Sequence, residues 1–401
     1  MPLDTGDTSF MLVATALVMI MTPGLAFFYG GLVSRKNVLT IMMQSYVSMG
    51  VSTILWVVVG YSLCFSGDVG GIIGNLDMAF LRGIEITDLG GLNDTIPLLL
   101  FVAYQMMFAI ITPALITGAF ANRITFKAYL IFLVTWQILV YYPFVHMIWG
   151  GGMLADWGVL DFAGGIVVHA LAGMAALASV IYVGKRGVED AGPHNVPFVA
   201  IGAALLWFGW FGFNAGSELA VDEVTAVAFI NTQIAAAFAA ITWLLLAWRH
   251  DGKPSFVEML IGMIAGLATI TPAAGFVSPQ SAMLIGVAAG AVCYFAVVFR
   301  KKKGLDDALD VWGVHGVGGA LGIVMLGVLA SESIGGQNGL YHGNQDFFVV
   351  QLAGLALACV WAFAFTYGML MMIDKVTPVR VSEEAEAALD VTLHGESAYT
   401  D

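Results

Sequence analysis

Charge is scarce in this chain. Only 11% of its 401 residues are Asp, Glu, Lys or Arg, while 59% are hydrophobic. At this length two or three soluble domains would be the ordinary expectation, and such a composition excludes them. Cysteine is scarcer still: Cys64, Cys293 and Cys359 lie in or at the edge of apolar stretches without paired spacing. No disulfide framework or zinc site is expected from them. The chain has no GxxxxGK[ST] phosphate loop and no HExxH metal motif, so ATP-driven pumping by this chain alone is excluded. No cofactor, metal or nucleic-acid partner is expected, and nothing marks an enzyme.

What the chain has is apolar stretches of about 18 to 25 residues, each long enough to cross a hydrocarbon core of roughly 30 Å. In lipid such stretches are helices, because a helix satisfies its own backbone polar groups. Eleven spans are expected, at about 9–33, 40–64, 97–121, 127–147, 163–183, 197–214, 225–248, 256–275, 281–299, 312–330 and 347–373. The first follows an acidic N-terminus and has no small-residue cleavage site, so it reads as a retained span. The fold class is an all-α polytopic membrane protein.

Basic residues set the orientation. With the N-terminus outside, 14 of the 15 Lys and Arg residues fall in inner loops and only Arg82 falls outside. The positive-inside rule selects N-out, C-in, which an odd number of spans requires. The 28 acidic residues then divide 14 and 14, leaving a strongly acidic outer face and a mixed inner one. An acidic mouth favours cations by long-range attraction, screened by salt.

Ten spans divide into two sets of five. Because five is odd, the second set enters the membrane from the opposite side, the arithmetic of an inverted repeat. The half-repeats are about 9–183 and 197–330, with helix 11 added at about 347–373. Span 5 opens with Asp161 and reaches His169; span 10 opens from the other side with Asp310 and reaches His315 five residues later. The two histidines approach from opposite faces and need not lie at equal depth. Gly212 and Gly216 have GxxxG spacing, and Gly316, Gly319 and Gly322 lie along neighbouring helical faces, as close helix packing in lipid requires. The membrane domain, 1–373, gives way to a polar tail, 374–401, too short for a core of its own and either disordered or docked on the inner surface.

An ionisable residue inside a span is costly and by default a functional candidate. A histidine can stay neutral there, donating from one ring nitrogen and accepting at the other. Taken singly, each histidine could equally be a buried structural group bonded to carbonyls. Their parallel placement in the two half-repeats favours pore lining, since repeat interfaces are where transporters hold substrate. By position alone Trp149 reads as an interfacial anchor, and Phe108 and Phe213 as core packing.

The stretches "TPGLAFFYGGLVSRKN", "MFAIITPALITGAFANR", "GGMLADWGVLDFAGGIVVH", "WFGWFGFNAGS" and "DVWGVHGVGG" resemble, in order, the ammonium transporter (Amt/Mep/Rh) family, microbial Amt branch. The tail "RVSEEAEAALDVTLHGESAY" is similar to that branch's C-terminal region. The resemblance implies a homotrimer in the cell membrane, with one pore per subunit, that carries ammonium and methylammonium. It implies substrate recruitment at Phe108, Trp149 and Ser217, a gate at Phe108 and Phe213, and a pore lined by His169 and His315. Asp161 and Tyr104 belong to the vestibule. Asp161 is expected to hold its loop through backbone N–H groups, because a direct carboxylate contact would bind ammonium too tightly for fast release.

The chemistry of these residue types agrees with the implied roles. Ring faces attract a small cation by roughly 0.5 to 2 kcal/mol each, and a serine hydroxyl accepts a hydrogen bond. Ammonium that gives up its proton outside avoids most of the desolvation cost of an apolar pore. Neutral ammonia would then pass the histidines, and the residues leave open whether the proton follows. The resemblance also implies that a PII-type regulatory protein docks on the inner surface, at "KKKG" 301–304 and the tail around Asp390, His394, Gly395 and Glu396. Two other classes fit parts of the pattern. An ammonium sensor signalling through the tail is disfavoured by the lack of a soluble signalling domain, and an Rh-like neutral-gas channel is disfavoured by the Trp149, Phe108, Ser217 set.

Overall fold

Helix starts are written into the chain as polar residues set before apolar runs. In the computed structural model these residues work as caps. Asp4 accepts from the amides of Gly6 and Asp7, Thr125 from Ala128, Asn195 from Phe198, Asp222 from Thr225, Ser255 from Glu258, Ser278 from Ser281 and Asn344 from Phe347. Each satisfies amides that the first helical turn leaves unpaired. The structure describes residues 2–188 and 192–399. Met1 of the expected membrane domain, residues 189–191 of its loop after span 5, and Thr400 and Asp401 of the tail lie outside the described residues.

Among the described residues there are eleven helices long and apolar enough to span a membrane: α1 Thr5–Leu32, α2 Val38–Phe65, α3 Leu98–Ile116, α4 Phe126–Asp156, α5 Gly165–Val183, α6 Val196–Glu218, α7 Glu223–Asp251, α8 Phe256–Ala273, α9 Pro279–Lys303, α10 Trp312–Leu329 and α11 Gln345–Asp374. No strand is present among them beyond isolated bridges. Two boundaries differ from expectation in ways that matter. Helix α3 stops at Ile116 rather than near 121, where the Thr117 hydroxyl donates to the Ala114 carbonyl and Asn122 turns the chain with φ 69°. Helix α6 runs past 214 through a 3-10 turn, Gly216–Glu218, which carries Ser217.

Helix α1 packs along α6, and α5 meets α10, so the first and fifth helices of each set of five pair with their counterparts. Small residues permit both contacts. A Cβ at Gly212 would stand 2.6 Å from Leu17 Cβ, and one at Gly202 would stand 2.2 Å from the Phe28 amide. At the second crossing a Cβ on Gly173 would lie 2.0 Å from Gly316 Cα. The backbones of α5 and α10 therefore touch, and their histidines are brought together from opposite ends. Leu12, Ile54, Phe208, Leu245, Leu284 and Val360 point outward as an apolar belt suited to lipid.

The tail is docked on the face opposite the N-terminus. Asn37, which precedes α2, makes no side-chain cap of its own. Asp390 supplies it instead, accepting from Leu39 N at 3.0 Å, Thr40 N at 2.8 Å and Thr40 Oγ1 at 2.9 Å. Asn37 accepts from Leu389 N at 2.9 Å and donates to the Glu386 carbonyl at 3.2 Å. Nearby, Asp306 pairs with Arg186 at 2.7 Å and with Arg123 at 3.7 Å. Although burial raises its carboxyl, these arginines hold Asp306 down at about 2.

Candidate conduction site

Helix α6 presents Trp210, Phe213 and Ser217 at spacings of three and four, one stripe of a helix face. That stripe faces α3, which carries Tyr104, Gln105 and Phe108, and the end of α4, which carries Trp149. Above Phe108, on the N-terminal face, a cavity of about 430 Å³ is lined by Phe108, Trp149, Asp161, Ser217, Gln105 and Glu218, among others. The Trp149 ring meets Phe108 edge-on, with centroids 6.0 Å apart. The Ser217 hydroxyl donates to the Phe213 carbonyl at 2.8 Å, which orients it and leaves lone pairs for a donor in the cavity. Tyr104 is fully buried; its hydroxyl donates to the carbonyls of Gly212 and Phe213 and lies 3.3 Å from Ser217 Oγ. It braces the end of α6 rather than lining the cavity.

Below the cavity Phe108 and Phe213 close the way. Their centroids are 4.4 Å apart with planes tilted by 37°, a closed contact rather than a parallel stack. Beyond Phe213 lies His169, its ring nearly parallel at 6.0 Å, followed by His315 at 5.2 Å. The two Nδ1 atoms are 3.2 Å apart, so one donates and the other accepts. With both rings neutral, one Nε2 then bears a proton and the other does not. His169 Nε2 is buried with no partner among the described residues. The rings border a narrow space of about 10 Å³ with apolar walls that include Leu25, Ile111, Leu206 and Trp210. That is at the lower limit for one water-sized molecule.

Asp161 does not point at the ring site. Its Oδ1 accepts from Gly164 N at 2.9 Å and Gly165 N at 2.6 Å, and its Oδ2 from Ile166 N at 2.8 Å and Val167 N at 3.1 Å. Gly164 is the residue before α5 and the other three supply its first amides; the helix begins as a π-helical turn, Gly165–Ala170, containing His169. The Trp149 indole donates to the Asp161 carbonyl at 2.8 Å, tying the aromatic wall to the same loop. Burial raises the Asp161 carboxyl above the usual carboxylate range, and the four amides pull it back.

In the second half the matching cap is Asp307, not Asp310. Asp307 Oδ2 accepts from Trp312 N at 2.7 Å, at the start of the π-helical turn Trp312–Gly316 that holds His315. Asp310 is instead paired with Arg300. Asp161 to His169 and Asp307 to His315 are both eight-residue steps. Burial lifts the Asp307 carboxyl to about 6, against the opposing pull of Arg300.

The tail residues do not join this site. Asp390 is buried as the α2 cap, and His394 lies edge-on to Phe126 at 5.3 Å. Gly395 ends its turn at φ 68°, and Glu396 is exposed on the C-terminal face, as are Lys301, Lys302 and Lys303. Trp210, Gln105, Glu218 and Asp307 are site residues that reading the sequence did not single out. For Trp210 the signal was available, since it lies three residues before Phe213 on the Phe213–Ser217 stripe.

The fold and site together define a multi-pass helical membrane protein with a roomy cavity on one face and a narrow, histidine-bordered space beneath it. The chain belongs to the ammonium transporter family, whose model, "Ammonium Transporter Family", matches residues 9–399. It is 46% identical over 404 residues to an ammonium transporter of Bacillus subtilis, covering 100% of both chains. The crystal structure of Saccharomyces cerevisiae Mep2 superposes with a TM-score of 0.89 at 33% identity, covering 95% of this chain and 88% of that one. A structure titled "Sensor Amt Protein" superposes with a TM-score of 0.90 at 29% identity, covering 97% of this chain and 98% of that one.

Proposed function

We propose that this chain is a transporter, not an enzyme, that recruits ammonium or methylammonium at Phe108, Trp149 and Ser217 and conducts ammonia past His169 and His315. The observation that carries this reading is the abrupt change from a cavity of about 430 Å³ to a space of about 10 Å³ across one pair of rings. A hydrated cation fits the first. Entering the second, it must lose its water, and an unpaired ion in an apolar medium is penalised far more than a neutral molecule. Loss of the proton before Phe213 removes that penalty. The ammonia that remains is small enough for the space, and the paired imidazoles offer it one N–H and one bare nitrogen.

In this reading the N-terminal face is outside and the tail is inside, as the basic residues require. Residues 1–373 form the membrane domain in two half-repeats plus α11, and residues 374–401 form a regulatory tail. The protein acts as a homotrimer, and a PII-type regulatory protein docks on the inner face. Because Asp390 is committed to α2, that partner would meet exposed groups such as Glu396 and the Lys301–Lys303 run.

Purified protein in liposomes tests the reading. Flux should fall at least tenfold in the His169→Ala, His315→Ala double variant, or selectivity against potassium should be lost. Unchanged flux and selectivity would remove the pore role. Solid-supported-membrane currents on the parent protein report whether the proton crosses: sustained current means that it does, and flux without current means that it stays behind. Deletion after Val376 should weaken PII binding in a pull-down.

A further inference from the structure

Glu218 lines the same cavity as Phe108, Trp149 and Ser217, yet none of the roles above uses it. It is the last residue of the 3-10 turn Gly216–Glu218, one position after Ser217, and the chain then turns at Leu219 with φ 61°. Leu219 is buried, and its carbonyl accepts from Asn93 Nδ2 at 2.9 Å, so the turn is fixed from both sides. The Glu218 side chain is half-buried and has no Lys, Arg or His ion-pair partner among the described residues. Its carboxyl lies instead near that of Asp222, four residues on, which is held by Thr225 as the α7 cap. Two neighbouring carboxyl groups without an ion-pair partner are satisfied by a shared proton or by a bound cation.

A second observation comes from another helix. Gln105, on α3, lines this cavity, is 6% exposed, and has an amide oxygen with no hydrogen-bond partner among the described residues. A buried amide acceptor left unpaired is costly and calls for a donor. A monovalent cation carrying N–H groups supplies donors to the amide oxygen and positive charge to the carboxylate at once.

We propose that Glu218 and Gln105 form a second cation position in the outer cavity, which takes ammonium before the aromatic site does and raises its local concentration there. This rests on the reading of Phe108, Trp149 and Ser217 as the recruitment site. No covalent step is involved; Glu218 acts by charge on the rate of capture and on apparent affinity. A charge at a rim is felt mainly in association and is weakened by salt.

The test is methylammonium uptake by proteoliposomes at low and high ionic strength, for the parent, Glu218→Gln, Glu218→Asp, Gln105→Leu and Trp149→Leu, with thermal melts to confirm folding. Glu218→Gln should raise half-saturation about three- to tenfold at low salt. Maximal rate should stay within about twofold and the difference should shrink as salt rises. Glu218→Asp should retain most of the parent affinity, and Gln105→Leu should shift half-saturation in the same direction as Glu218→Gln. Parent-like half-saturation in Glu218→Gln at low salt would overturn the proposal, as would a loss confined to maximal rate and insensitive to salt. Trp149→Leu reads the underlying assumption separately: if it leaves half-saturation unchanged, the recruitment reading fails whatever Glu218 does.

Discussion

The α5 and α10 halves carry the same device in opposite directions. In each, a buried aspartate caps a π-helical turn and a histidine follows eight residues later. Their mouths differ. Asp161 sits beside an aromatic and hydroxyl-lined cavity, whereas Asp307 sits in a cavity of about 520 Å³ lined by Lys185, Arg186, Arg300 and Lys301 together with Asp306 and Asp310. The shared device builds the constriction, because it delivers two rings to one point from opposite faces. The unshared mouths set the two faces apart: one presents ring faces and the carboxyl of Glu218, and the other mixes both signs of charge.

Breaking the common element should have the largest effect. Gly173→Leu places a side chain where Gly316 Cα already stands, so α5 and α10 must part. Flux should drop to background in liposomes, with loss of the folded peak in size-exclusion chromatography.

The two caps should then separate by degree. Asp161→Ala strands four amides, and charge-assisted hydrogen bonds are worth about 1.5–3 kcal/mol each without full additivity. A loss of several kcal/mol is expected, read as a large fall in melting temperature in detergent together with lost flux. Asp161→Asn should recover part of it. Asp307→Ala should cost less, since its Oδ1 has no partner among the described residues. The α10 cap should also be pH-sensitive. With its folded value raised to about 6, Asp307 stabilises the protein most when protonated, and this contribution declines as pH rises through about 6. Asp307→Asn should flatten that part of the melting-temperature profile.

Sharpening the contrast between the mouths calls for smaller changes. Trp149→Leu removes one ring face worth roughly 0.5–2 kcal/mol, so half-saturation for methylammonium should rise about two- to thirtyfold with little change in maximal rate. The smallest effect is expected from Asp390→Asn, which leaves one acceptor where two carboxylate oxygens serve Leu39 and Thr40, a loss of about 1 kcal/mol. Its measure is faster proteolysis of the tail, not altered flux.

The element pattern was largely legible because lipid leaves a chain few choices: an apolar run must be a helix, and its ends are marked by caps and charge. The aromatic and histidine set was legible because family motifs named it. Asp307 was missed because Asp310 stands nearer to His315 and looks like the natural counterpart of Asp161. Only the folded chain shows Asp310 drawn away to Arg300. Likewise nothing local to the start of α2 reveals that a residue some 350 positions later caps it. Glu218 and Gln105 are separated by more than 100 residues, and they line one cavity only because α6 continues beyond its expected end.

The amino-acid sequence by itself determined that this is an eleven-span membrane protein, because composition and span length are local properties that the bilayer converts directly into helices. It also set the expectation of two half-repeats of five spans each, with the two histidines entering from opposite sides. Tertiary structure decided how close they come. The 3.2 Å contact between the rings exists because glycine faces glycine where α5 crosses α10, and a crossing point depends on two helices at once. The same holds for the closed ring pair and the narrow space beneath it: each is a distance between elements far apart in the chain.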